Sequence, residues 1–128
     1  DCLLSRGLGD VYKRQDLYWS DFSLKISPLE QVTLLKKFNT NEFHLNSQNV
    51  FSVKNAIKIA STPNGNFYGK TGTGRVNGQD INGWFIGYVE TSDNSYYFAT
   101  NIQSDSNATG KKAFEITSDI LKKLHIWN

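Results

Sequence analysis

Tyr68-Gly69-Lys70-Thr71-Gly72-Thr73-Gly74, with Asn82-Gly83-Trp84-Phe85-Ile86-Gly87-Tyr88 following an Asn77-Gly78 pair, decides the fold class of this chain. Aromatic and β-branched residues dominate Phe67 to Thr73, Ile81 to Glu90 and Tyr96 to Ile102, and Asn77-Gly78 and Ser92-Asp93-Asn94 separate these runs. Such residues suit a pleated, half-buried surface, and Asn-Gly supplies the left-handed conformations of a tight hairpin. Three antiparallel strands are predicted. On the first of them, Lys70 and Thr71 set a cation beside a hydroxyl, with glycines removing bulk around them. That combination can hold a substrate carboxylate against an open strand edge.

Helical signals lie on both sides of the strands. Ser27 can cap, Pro28 fits the first helical position and Glu30 can reach back to the cap amide, so a helix starts there. Leu29, Val32, Leu35 and Phe38 give it an apolar face until Asn39-Thr40-Asn41. A second helix is expected from Ser47 to about Ile59, with Val50, Val53 and Ile57 on one side, ending in a loop over Ser61 to Asn66. A third, about Thr109 to Leu124, places Ala113, Ile116, Ile120, Leu121 and Leu124 on one face and Lys111, Lys112, Lys122 and Lys123 mainly outside. Packed on one side of the sheet, it gives an α+β layer.

Composition narrows the function. The chain has 128 residues and a net charge of +2, with its lysine pairs spread along it rather than gathered in a basic stripe, which argues against nucleic acid as a partner. Cys2 is the only cysteine, so neither an internal disulfide nor a Cys-based zinc site is possible. No apolar run approaches the roughly 20 residues that cross a bilayer, and no membrane contact is expected of this segment itself. His44 and His125 stand apart from other ligand types, so no metal and no cofactor are expected. Gly65 to Thr71 looks like a phosphate-binding loop, but its first glycine is one residue too close and Gly72-Thr73-Gly74 starts a helix poorly.

The Lys70-Thr71-Gly72 triplet is a signature of serine β-lactamases and penicillin-binding proteins. With Asn82 to Glu90, Tyr96-to-Gln103 and Tyr18 to Gln31 around it, the chain from Asp16 onward resembles class D (oxacillinase-type) β-lactamases and the similar β-lactam-sensing domains of membrane signal transducers. The resemblance implies a partial serine β-lactamase/penicillin-binding-protein-like fold and an extracytoplasmic location. It implies that Lys70, Thr71, Gly72 and Thr73 line the substrate site, with a β-lactam antibiotic as the small-molecule partner. It also implies that Trp19 stands behind the site, against the family's modified lysine.

The family's acylation centre is a Ser-x-x-Lys turn with Ser-x-Val and Tyr-Gly-Asn elements, and none of these occurs here. No catalytic residue is therefore assigned, and the serine and its base are expected on a missing N-terminal half of the same domain, without which no turnover is expected. Where many class D enzymes carry a carboxylate-binding arginine, this chain has Gly110-Lys111-Lys112, which leaves Lys111 as a candidate contact without arginine's planar fork, or as a solvated helix lysine. Trp84, Phe85 and Tyr88 are expected to pack, and Glu30 to cap. Residues 1–15 lack helical or strand periodicity, and Asp10-Val11-Tyr12-Lys13-Arg14-Gln15 looks like one reading frame of a sequencing-library transposase adapter. That segment is expected to be foreign, with the domain running over 16–128. The complete protein is expected to hydrolyse β-lactams, the alternative being a sensor that is acylated without turnover.

Overall fold

The computed structural model describes residues 26–128, so the expectations for 1–15 and for Trp19 lie outside the described residues. Helix α1, Pro28–Asn39, begins with the anticipated reciprocal cap: the Glu30 amide donates to Ser27 Oγ at 3.1 Å and the Ser27 amide donates to Glu30 Oε1 at 2.9 Å. Two backbone donors left over at the helix start are thereby satisfied. Helix α2, Ser47–Ile57, is capped by Asn46, whose Oδ1 accepts from the Gln48 and Asn49 amides.

The sheet has four strands rather than the three expected. β1 is Lys58–Thr62, β2 Gly65–Val76, β3 Gln79–Thr91 and β4 Ser95–Gln103, all antiparallel in the order β1-β2-β3-β4. Strand β1 occupies the stretch expected to end α2 and form a loop, and Pro63-Asn64 alone remain as the turn. Lys58 to Thr62 carries little strand signal of its own; pairing with β2 settles its conformation. The Asn77-Gly78 hairpin is as anticipated, with φ of 50° and 76° at its two residues.

Helix α3, Gly110–Lys123, is capped by Thr109, whose hydroxyl accepts from the Lys112 amide at 3.1 Å. It covers the sheet face bearing Phe67, Phe85, Val89 and Phe98, and Ala113, Leu121, Phe114 and Trp127 complete this core. Phe67 makes edge contacts with Phe85 and Phe98 and stacks on Phe114. The apolar stripe of α3 is wider than the part it buries. Gly110, Ala113, Thr117 and Leu121 are buried, whereas Ile116, Ile120 and Leu124, expected inside, are exposed. The buried row follows the sheet, and among the described residues nothing covers the row beyond β4.

Strand alternation sends Tyr68 to the opposite face from Phe67. There Tyr68, Tyr88 and Tyr97 stand opposite one another on three strands, with ring centroids 4.6 and 5.5 Å apart. Helices α1 and α2 approach this face through Asn39 and Lys54.

Candidate functional site

The triplet lies in the middle of β2, where β1 has already ended. The last β1 partner on β2 is Tyr68, so among the described residues the outer edge from Gly69 to Val76 faces no strand. On its inner side the same stretch is held by β3, Lys70 opposite Ile86, Thr71 opposite Phe85, Gly72 opposite Trp84 and Thr73 opposite Gly83. An edge held rigidly on one side and open on the other is suited to receive an extended or amide-bearing ligand.

Alternation distributes the expected residues over both faces of that edge. Lys70 and Gly72 share the tyrosine face with Tyr68, whereas Thr71 and Thr73 share the phenylalanine face with Phe67 and look toward the start of α3. All four are exposed. The Lys70 ammonium donates to the Thr71 carbonyl at 2.8 Å, so it is folded along the strand beside its neighbour. The Thr73 hydroxyl accepts from the Gly110 amide at 2.9 Å. At Gly72 an added Cβ would meet only Trp84 Cβ, at 3.9 Å. Glycine is therefore not demanded by packing there, and its effect is to leave open space beside Lys70.

Lys111 is exposed one residue beyond Gly110 and makes no ion pair among the described residues. Trp19 lies outside the described residues. Trp84 is half-buried, and Phe85 and Tyr88 are fully buried, which fits the packing roles expected of them. Among the described residues no group of three or more His, Cys, Asp or Glu could hold a metal, and no helix is long and apolar enough to cross a membrane.

Behind the strand the tyrosine face carries its own electrostatics. Lys54 Nζ is 3.5 Å from Glu90 Oε2 and lies 5.4 Å above the Tyr68 ring and 5.9 Å from the Tyr88 ring centre. Asn39 Nδ2 donates to Tyr97 Oη at 2.8 Å and to Glu90 Oε2 at 3.3 Å. Burial raises the Tyr68 and Tyr88 phenols above the ordinary tyrosine value, and the Glu90 charge adds to both. Tyr88 Oη and Asn39 Oδ1 are buried, and neither has a hydrogen-bond partner among the described residues.

Residues 9–122 match the family described as the penicillin-binding protein transpeptidase domain. The chain belongs to this family. The transpeptidase-domain chain is 49% identical to the regulatory protein BlaR1 of Bacillus licheniformis over 110 residues, which are 86% of this chain and 18% of that protein. In structure it is similar to the C-terminal domain of the Bacillus licheniformis BlaR penicillin-receptor, with TM-score 0.77 and 48% identity over 83% of this chain and 43% of that one. It is also similar to the class D β-lactamase from Bacillus subtilis, with TM-score 0.77 and 38% identity over 88% of this chain and 45% of that one. The chain thus spans about a fifth of that regulatory protein and under half of each of these two solved relatives. The α+β fold expected from the triplet and its flanking strands agrees with these relatives.

The position not anticipated is Gly110. Thr109-Gly110 reads in sequence only as the start of a helix, and nothing local signals that this start lies against Thr71 to Thr73, 37 residues away along the chain.

Proposed function

We propose that β2 is the carboxylate-binding wall of a domain that β-lactams acylate on serine. The observation that carries this reading is the exposed Lys70, Thr71 and Thr73 along a strand edge with no described partner strand. A β-lactam presents a carboxylate and a strained amide a few ångströms apart. An ammonium and hydroxyls that are already in place bind the former through short, charge-assisted hydrogen bonds, and the free strand edge pairs with the amide substituent. Preorganised donors of this kind act without reorganisation as charge develops during acylation.

The chain has no Ser-x-x-Lys, so the attacking serine and its general base are proposed to come from residues outside it. In the complete domain that serine adds to the β-lactam carbonyl, the ring C–N bond breaks, and the released nitrogen takes a proton. Lys111 is a minor contact to the same carboxylate, and the role that the family resemblance implies for Trp19 is carried over with it. The complete domain is proposed to act outside the cytoplasm.

Between hydrolysis and persistent acylation, the higher identity with the penicillin-receptor, 48% against 38% for the class D enzyme, favours the receptor. Intact-mass measurement with a turnover assay on the complete protein tests this. One stable adduct per protein with no further drug consumed is the expected result. Many turnovers would make it an enzyme, and no adduct at all would remove the β-lactam reading.

A further inference from the structure

We propose that Gly110 is a positioning residue for carboxylate recognition: its amide orients the Thr73 hydroxyl, and its lack of a side chain lets the start of α3 rest directly on Thr71 and Gly72. This rests on the carboxylate-binding role given to β2 above.

A hydroxyl has one proton to donate and two lone pairs. The Gly110 N–H donates to Thr73 Oγ1 at 2.9 Å, which commits a lone pair and turns the O–H away from α3. A carboxylate only accepts, so a hydroxyl that serves it must donate. Gly110 thereby gives Thr73 the polarity this ligand requires. Without that amide the hydroxyl could turn its proton to any nearby carbonyl.

The contact leaves no room for a side chain. A Cβ on Gly110 would lie 2.8 Å from the Gly72 carbonyl oxygen, 2.9 Å from the Gly72 nitrogen and 2.9 Å from Thr71 Cβ. These are backbone atoms and a Cβ, none of which can swing aside. Gly83 closes the other side. A Cβ there would overlap the Thr109 carbonyl oxygen and stand 3.0 Å from that of Ala108, so residues 108 and 109 lie flat on β3. The Ala108 amide also donates to the Asp80 carbonyl at 2.8 Å, and Ala108 bridges Ile81. The start of α3 is therefore fixed on β3, and extra bulk at position 110 displaces Thr71 to Thr73 or breaks the Thr73 bond. Gly110 itself is buried, which makes its role positional.

The test measures acylation rates of the complete protein with a penicillin and with its methyl ester, which lacks the charge. Wild type is expected to prefer the free acid, and Gly110→Ala to lower the acid rate about tenfold, the order of one hydrogen bond lost, while the ester rate changes far less. Thr73→Ser should keep the wild-type acid/ester ratio and Thr73→Val should lose it. Adding Gly110→Ala to Thr73→Val should reduce the ratio less than the two single losses combined, because both act on the Thr73 interaction. An unchanged ratio in Gly110→Ala, or equal losses for acid and ester, overturns the inference while leaving the β2 reading intact. A wild-type ratio near one instead sinks the carboxylate reading itself, and this inference with it. Should Gly110→Ala not fold, amide hydrogen exchange decides: Gly110 should be protected in wild type and Thr73→Ser but not in Thr73→Val, and free exchange in wild type overturns the proposal.

Discussion

The two faces of the sheet are built from neighbouring residues and have opposite chemistry. Phe67 goes to one side, where Phe85, Phe98, Phe114 and Trp127 form an apolar core closed by α3. Tyr68 goes to the other, where Tyr68, Tyr88 and Tyr97 each carry a hydroxyl and Lys54, Glu90 and Asn39 stand beside them. No residue of α1 or α2 is buried among the described residues, whereas α3 buries four. The phenylalanine side is therefore what makes this segment a folded unit, and the tyrosine side is a polar support with groups that find no partner among the described residues. Lys70 stands on the second side and Thr71 and Thr73 on the first. Their common ground is the edge of β2, where the proposed ligand would meet both the cation and the hydroxyls.

The largest effect should come from breaking the apolar side. Phe85→Ala removes a ring that is 1% exposed, and a loss of about 3–5 kcal/mol is expected from the lost contacts and the cavity left behind. Urea denaturation measures it, and a loss below about 1 kcal/mol would mean that this cluster is not the main core. Next, Lys70→Ala in the complete protein should slow acylation about a hundredfold by removing a preorganised charge. A rate within about twofold of wild type would separate Lys70 from ligand binding.

Tyr88→Phe sharpens the contrast between the faces. Its hydroxyl is buried with no partner among the described residues, so its removal should leave stability within about 1 kcal/mol of wild type or raise it, far from the result for Phe85. A larger loss would reveal a bond to the Tyr88 hydroxyl. The smallest effect belongs to α1, which leans on the polar side. The Ser27 amide and hydroxyl hold the Glu30 carboxyl below its ordinary value. That contribution is fully present above the unfolded-state value and is lost as pH falls through the lower folded one. Glu30→Gln should accordingly flatten part of the fall in the urea midpoint on acidification. Identical pH profiles for the variant and wild type would show that the cap has no such role.

Local chemistry was enough to read several parts of this molecule. The Ser27 to Glu30 cap, the Asn77-Gly78 turn, the long strands around Lys70 and the Thr109 to Leu124 helix each depend on residues close together in the chain, whose steric and hydrogen-bonding preferences act before any packing. The triplet and its flanking strands likewise carried the family. Tertiary structure decided the rest. Strand β1 exists because β2 offers it a partner, and which part of the α3 stripe is buried depends on where the sheet ends. Gly110 meets Thr73 only because Gly83 lets the chain cross β3 at close range. Contacts of that kind depend on distances between backbones far apart in sequence, and no local propensity encodes them.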